Sequence, residues 1–145
     1  MKDASDGILP IRSRIQDFKD LIAWKAARKL RADIFVICKH FPKPETFELC
    51  SQMRRAAVSI TANLAEGYGR FSYQENIQFC RQSRGSAYEL RDHLTTALDA
   101  GYITAEQYRE LELAALSVVK LINGYIRATK QRKALNTDAP RNETR

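Results

Sequence analysis

The stretch Gln52-Met53-Arg54-Arg55-Ala56-Ala57-Val58-Ser59-Ile60-Thr61-Ala62-Asn63-Leu64-Ala65-Glu66 decides the fold. Its apolar residues Met53, Ala57, Ile60 and Leu64 advance by four, three and four positions. That spacing follows the 3.6-residue period of a helix and not the alternation of a strand. Phe47 and Cys50 extend the stripe backwards, so a helix with one core-facing side is expected from about Glu45 to Glu66. Gly67 and Gly69, on either side of Tyr68, read as its stop signal.

The same period recurs on both sides. A first helix is expected to start near Asp17 as N-cap and to end before Pro42, with Leu30, Ile34, Ile37 and Phe41 inward. The joint His40-Phe41-Pro42-Lys43-Pro44 is stiff, because each proline fixes its own φ and restricts the residue before it. Ser72 and Glu75 form a capping-box pair for a third helix, with Ile77, Cys80, Ala87, Leu90, Leu94 and Leu98 inward and Gly101 as terminator. Thr104 and Gln107 repeat that signal ahead of Tyr108, Leu111, Ala115, Val118, Ile122 and Tyr125. Helices of about 22–28 residues are roughly 33–42 Å long at ~1.5 Å per residue, and short joints stack four of them antiparallel. The expected architecture is an all-α, up-down-up-down four-helix bundle over residues 17–131, after an N-terminal extension at 1–16. A basic tail over 132–145, with Pro140 among polar residues, is expected to be disordered.

The composition agrees and excludes several classes. A chain of 145 residues with 44% hydrophobic content buries one core, and 6 glycines and 4 prolines are too few for a turn-dense β-fold. The longest strictly apolar run, Ile34 to Cys38, falls far short of the ~20 residues of a membrane span, so no membrane partner is expected. Asp3 and Asp6 in an N-terminus without a sustained apolar stretch do not read as a signal peptide, and a bacterial-type cytoplasm is expected. Cys38, Cys50 and Cys80 form no CxxC pair and read as reduced core residues. Neither His40 nor His93 has a glutamate three positions earlier, so the paired ExxH motifs of a di-metal bundle are missing. There is no phosphate loop, HExxH or GxSxG either. No enzymatic activity, metal or cofactor is expected.

The net charge of +7 is uneven. Residues 127–145 hold Arg127, Lys130, Arg132, Lys133, Arg141 and Arg145 against Asp138 and Glu143. Such a segment can neutralise phosphates, or it can simply complement the negative end of a helix dipole. Arg54, Arg55, Arg70, Arg81 and Arg84 form a second group, with Tyr68, Phe71 and Tyr73 interleaved around Arg70. That mixture suits phosphate contact and base stacking, and it equally suits a protein interface. Gln52, Arg55, Ser59, Asn63 and Glu66 line one face of the second helix, and Gln78, Gln82, Gly85 or Ser86, Glu89, His93 and Thr96 line one of the third. These stripes read as a polar network between helices, as a subunit interface, or as a solvated face.

Taken together, Phe18-x-Asp20-Leu21-x-x-Trp24-Lys25, Phe41-Pro42-x-x-Glu45-x-Phe47-x-Leu49, Gln52-Met53-Arg54-Arg55-Ala56-Ala57-Val58-Ser59-Ile60 and Asn63-Leu64-Ala65-Glu66-Gly67 form a recognisable pattern. With Gly85-Ser86-x-x-Glu89-Leu90 and Gly101-Tyr102-Ile103, the chain resembles the bundle proteins encoded within intervening sequences of bacterial 23S ribosomal RNA genes. The match runs from about Phe18 to Arg127. The resemblance implies a ring-shaped homopentamer without established enzymatic activity. It also implies kinship with the accessory variability protein of diversity-generating retroelements, a basic pentameric bundle that binds nucleic acid and a reverse transcriptase. On that basis Gln52, Arg55, Ser59, Asn63 and Glu66 are candidate interface residues, with Arg54 and Arg70 candidate phosphate contacts. Charge grouping adds Arg81, Arg84, Lys130, Arg132 and Lys133. The expected function is that of a homo-oligomer binding RNA or DNA, with a nucleic-acid-processing protein as a further partner. The alternative is a protein-interaction scaffold that touches no nucleic acid.

Overall fold

Four helices carry the chain in the computed structural model, which describes residues 15–138. They are α1 (Ile22–Cys38), α2 (Leu49–Tyr68), α3 (Tyr73–Asp99) and α4 (Ala105–Asp138). Each packs on its sequence neighbour, and α1 closes the ring on α4, which is the up-down-up-down arrangement of an all-α four-helix bundle. The expected stripes meet at the axis. Leu30, Ile34, Met53, Ile60, Leu64, Leu90, Leu94, Val118 and Ile122 are all fully buried. No helix among the described residues is long and apolar enough to cross a membrane.

The helix starts and stops show which signals act locally. Gln107 N–H donates to Thr104 Oγ1 at 3.1 Å and Gln107 Oε1 accepts from Thr104 N–H at 2.9 Å, so α4 begins on a complete capping box. Ser72 caps α3 more loosely, accepting from Glu75 N–H at 3.4 Å. Gly101 has φ +77°, and the bonds Gly101 N–H to Leu98 O and Tyr102 N–H to Ala97 O complete a Schellman motif. This turn delivers Tyr102 to the opposite connection. Its hydroxyl donates to Glu45 Oε1 at 2.8 Å and its ring lies 5.4 Å from that of Phe41, which locks the α1–α2 and α3–α4 connections together.

Several boundaries depart from the expectation. Asp17 precedes a short 3₁₀ turn, Phe18–Asp20, and α1 starts only at Ile22. Residues Lys43–Phe47 form a second 3₁₀ turn, and Glu48 (φ −106°, ψ −108°) breaks the helical phase before Leu49. Phe47 is therefore 88% exposed and not part of the core stripe. Gly67 lies inside α2 and is buried, while Gly69 caps it in ordinary right-handed geometry. Neither glycine supplies a left-handed stop. Finally, α4 runs to Asp138, so residues 132–138 are helical and not a disordered tail. The rest of that tail and the extension up to residue 14 lie outside the described residues.

Candidate nucleic-acid interface

The antiparallel pairing of α3 and α4 sets the first turns of α3 beside the last turns of α4. Asn76 Nδ2 donates to the Tyr125 hydroxyl at 2.9 Å, Lys133 Nζ to Gln74 Oε1 at 2.7 Å, and Asn136 Nδ2 to the Tyr73 hydroxyl at 2.8 Å. Between them runs a groove of about 360 Å³ lined by Gln74, Ile77, Arg81, Lys130, Lys133 and Ala134. Gln74, Ile77 and Arg81 stand at helical spacing on α3, so one stripe presents an amide, an apolar floor and a guanidinium. Arg81 and Lys130 are exposed, and neither forms an ion pair among the described residues. Exposed Arg127 stands one turn before Lys130 on α4.

The remaining expected contacts divide. Arg70, in the turn after α2, is held at this end: Nη2 donates to Glu66 Oε1 at 2.9 Å and the guanidinium sits 4.9 Å over the ring of Phe79. Arg84 is half-buried and bridges α3 to α4, donating to Asn123 Oδ1 at 2.7 Å. Arg132 is half-buried, and its enclosed Nε has no hydrogen-bond partner among the described residues. Arg54 does not join the group. It donates to the Thr46 carbonyl at 2.9 Å near the start of α2, and the sixteen residues to Arg70 correspond to roughly 24 Å along the helix axis. Gln74 was not among the expected contacts, although its seven-residue spacing from Arg81 places both on one helical stripe.

The polar stripe of α2 divides as well. Gln52 and Arg55 are exposed. Ser59 Oγ instead lies 2.8 Å from Ser86 Oγ of α3, and Asn63 Nδ2 donates to both Ser59 O and Ser59 Oγ. Close by, the buried Ser83 hydroxyl donates to the Ile60 carbonyl at 2.7 Å. The middle of the stripe is thus the polar seam between α2 and α3, and Glu66 at its end belongs to Arg70.

Other constellations carry less chemistry. A groove between α1 and α4 mixes the Lys29–Asp33 ion pair (3.0 Å) with Glu110 and His40, so it offers no single sign of charge. No group of three or more His, Cys, Asp or Glu able to hold a metal ion occurs among the described residues. Cys38, Cys50 and Cys80 are free and buried, and burial pushes the Cys38 and Cys80 thiols up to about 12. Such thiols stay protonated and are poor nucleophiles near neutral pH.

The profile of the 23S rRNA-intervening sequence proteins matches residues 19–124. The chain belongs to that family. The matched span takes in α1 to α3 and most of α4, and it ends before Lys130, so the cationic end of α4 lies beyond it. This family member also has the fold of a solved protein of unknown function from the S23 ribosomal protein family of Bacteroides thetaiotaomicron. The TM-score is 0.68 and the identity 23%, covering 72% of this chain and 98% of that one. Among curated proteins none matches.

Proposed function

We propose that this family member is a non-enzymatic homo-oligomer that binds structured RNA by its phosphate backbone, through the groove between the start of α3 and the end of α4. The observation that carries the reading is the cationic side of that groove, where Arg81 and Lys130 are exposed and form no ion pair among the described residues. Counterion release on neutralising phosphates makes such a site effective without base readout. The net charge of +7 favours approach to a polyanion. Pentameric assembly and a nucleic-acid-processing partner follow from the family resemblance, and a bacterial-type cytoplasm is the compartment proposed. The rival reading, a protein-interaction scaffold, is favoured by Ile22 and Val36, which α1 exposes by 65% and 57%.

The test is titration of a structured ribosomal RNA fragment across about 50 to 200 mM salt, with light scattering to follow assembly. Wild-type protein is expected to bind as an oligomer at low salt and to release RNA as salt rises. The double variant Arg81→Ala, Lys130→Ala should bind more weakly, with a log–log salt slope shallower by roughly 1.5–2. Absence of binding at low salt, or binding indifferent to salt, overturns the reading.

A further inference from the structure

We propose that Phe71 is a stacking platform for an unpaired base, so that the RNA held by the α3–α4 groove is one with a loop, bulge or single-stranded end beside its paired region. This rests on the groove reading and adds what kind of RNA fits it.

Phe71 is fully exposed, at 107% of its reference area, in the turn that joins α2 to α3. Burying a phenylalanine stabilises by roughly 1.5–3 kcal/mol relative to leaving it in water, yet this ring lies on no core. Its aromatic neighbours Tyr68 and Tyr73 are half-buried, and Tyr73 is tied to Asn136. The turn that carries Phe71 is fixed on both sides. Arg70 is held by Glu66 and by the face of Phe79, Arg70 N–H donates to Gly67 O at 3.2 Å, and Ser72 caps α3. A bare aromatic ring therefore stands on an ordered support.

Its position matters more than its exposure. Gln74, which receives Lys133, is three residues further on, so Phe71 Cα lies within roughly 11 Å of the groove's edge. Successive nucleotides of a stacked strand are ~3.4 Å apart, so two or three steps of backbone carry a strand from the groove to the ring. Phe71 shares a shallow pocket with Arg70, Glu66 and Glu75, and Arg70 is paired with Glu66 there, whereas Phe47, the other strongly exposed phenylalanine, lies at the opposite end of the bundle, away from the α3–α4 groove. Bases within a duplex are already stacked and present no face to a side chain. Away from a duplex end only an unpaired base can lie on Phe71, and Arg70 beside it retains further N–H donors for the flanking phosphate.

The experiment uses the full chain with three labelled probes: an unstructured oligoribonucleotide, a hairpin with an open loop, and a blunt duplex of the same stem. Phe71→Ala is expected to weaken binding to the first two by about 5- to 150-fold, the worth of one stacked base, and to leave duplex binding within about twofold. Phe71→Trp should keep the affinity, and its emission should be quenched by the unpaired probes only. If Phe71→Ala binds all three like wild type, or weakens all three alike, the stacking proposal falls. If Arg81→Ala and Lys130→Ala weaken binding while Phe71→Ala does not, the groove stands without the platform. If wild type binds no probe at low salt, both fall. Binding of an apolar peptide at Phe71 with no response to RNA would assign the ring to a protein partner instead.

Discussion

The Cβ of Phe79 lies 2.8 Å from the point where a Cβ on Gly67 would stand, and the Asn76 carbonyl oxygen lies 3.1 Å from it. Glycine at 67 is thus what lets the end of α2 approach the start of α3, and Arg70 then reaches the face of Phe79. Gly67→Ala is expected to push the helices apart and cost roughly 1–3 kcal/mol, as overpacking does. Gly85 is the control: it is exposed in mid-α3 with nothing within 4 Å of its Cβ position, so Gly85→Ala should gain about 1 kcal/mol from helix propensity. Urea midpoints of the two variants should move in opposite directions. A Gly67→Ala midpoint equal to wild type would show the approach to be adjustable.

This contact also marks where the sequence stops being readable. The start of α4 and the stop of α3 are legible because Thr104 with Gln107, and Gly101 alone, act within a few residues. The core stripes are legible because the helical period repeats. The helical period runs through Phe47 and would place it in the core, while a change of turn geometry at Glu48 that the stripe does not announce turns it outward. Gly67 reads as a stop by composition, but its role depends on Phe79, twelve residues away and on another helix. The same holds for the candidate site. Charge marks Arg81, Lys130 and Lys133 one by one, but the register between α3 and α4 brings them together, and it leaves Arg54 at the far end.

Ser59 illustrates how the register reassigns a polar stripe. Its hydroxyl meets Ser86 across the α2–α3 seam at 2.8 Å and accepts from Asn63 at 3.0 Å, so its bonds are made within one chain. Ser59→Ala should lower unfolding stability by about 0.5–1.5 kcal/mol and leave the proposed oligomer intact. Arg55→Ala, at an exposed position of the same stripe, should instead weaken assembly and leave the unfolding of the single chain within about 0.5 kcal/mol. Light scattering beside chemical denaturation separates the two. Dissociation by Ser59→Ala at unchanged chain stability would return that residue to the subunit interface.

Cys80 gives the bundle an alkaline limit. Burial raises its thiol to about 12 from an ordinary value of 9.0, so the unfolded chain loses this proton first as pH rises. The protonated thiol's contribution is fully present below about pH 9 and drains away between there and about pH 12. At about pH 10.5 the loss from this residue is roughly 2 kcal/mol, from 1.36 kcal/mol per pH unit. Thermal melts at pH 8 and pH 10.5 should show the drop, and Cys80→Ala should lessen it while lowering stability at both. An equal alkaline drop in Cys80→Ala would assign the sensitivity elsewhere, with Cys38 next: burial raises its thiol to about 12 as well, so it too favours the fold only while protonated.

Glu66 opposes the proposed function at its own edge. It is the carboxylate paired with Arg70, with both side chains close to half exposed (53% and 43%), so the pair stabilises the fold little while it neutralises a cation beside the proposed RNA path. Glu66→Gln keeps the shape and a hydrogen-bond acceptor for Arg70 but removes the negative charge. Its unfolding stability should stay within about 0.5 kcal/mol of wild type. RNA affinity at low salt should rise about two- to fivefold, with a salt slope steeper by up to about 0.9 if Arg70 gains a phosphate. Arg70→Ala should move affinity the other way and also release Phe79 from its cation. The decisive comparison is Glu66→Gln against Glu48→Gln, which removes an exposed carboxylate at the opposite end of the bundle. Equal gains from both would mean that RNA senses only net charge, whereas a gain confined to Glu66→Gln places the strand across the α2–α3 turn.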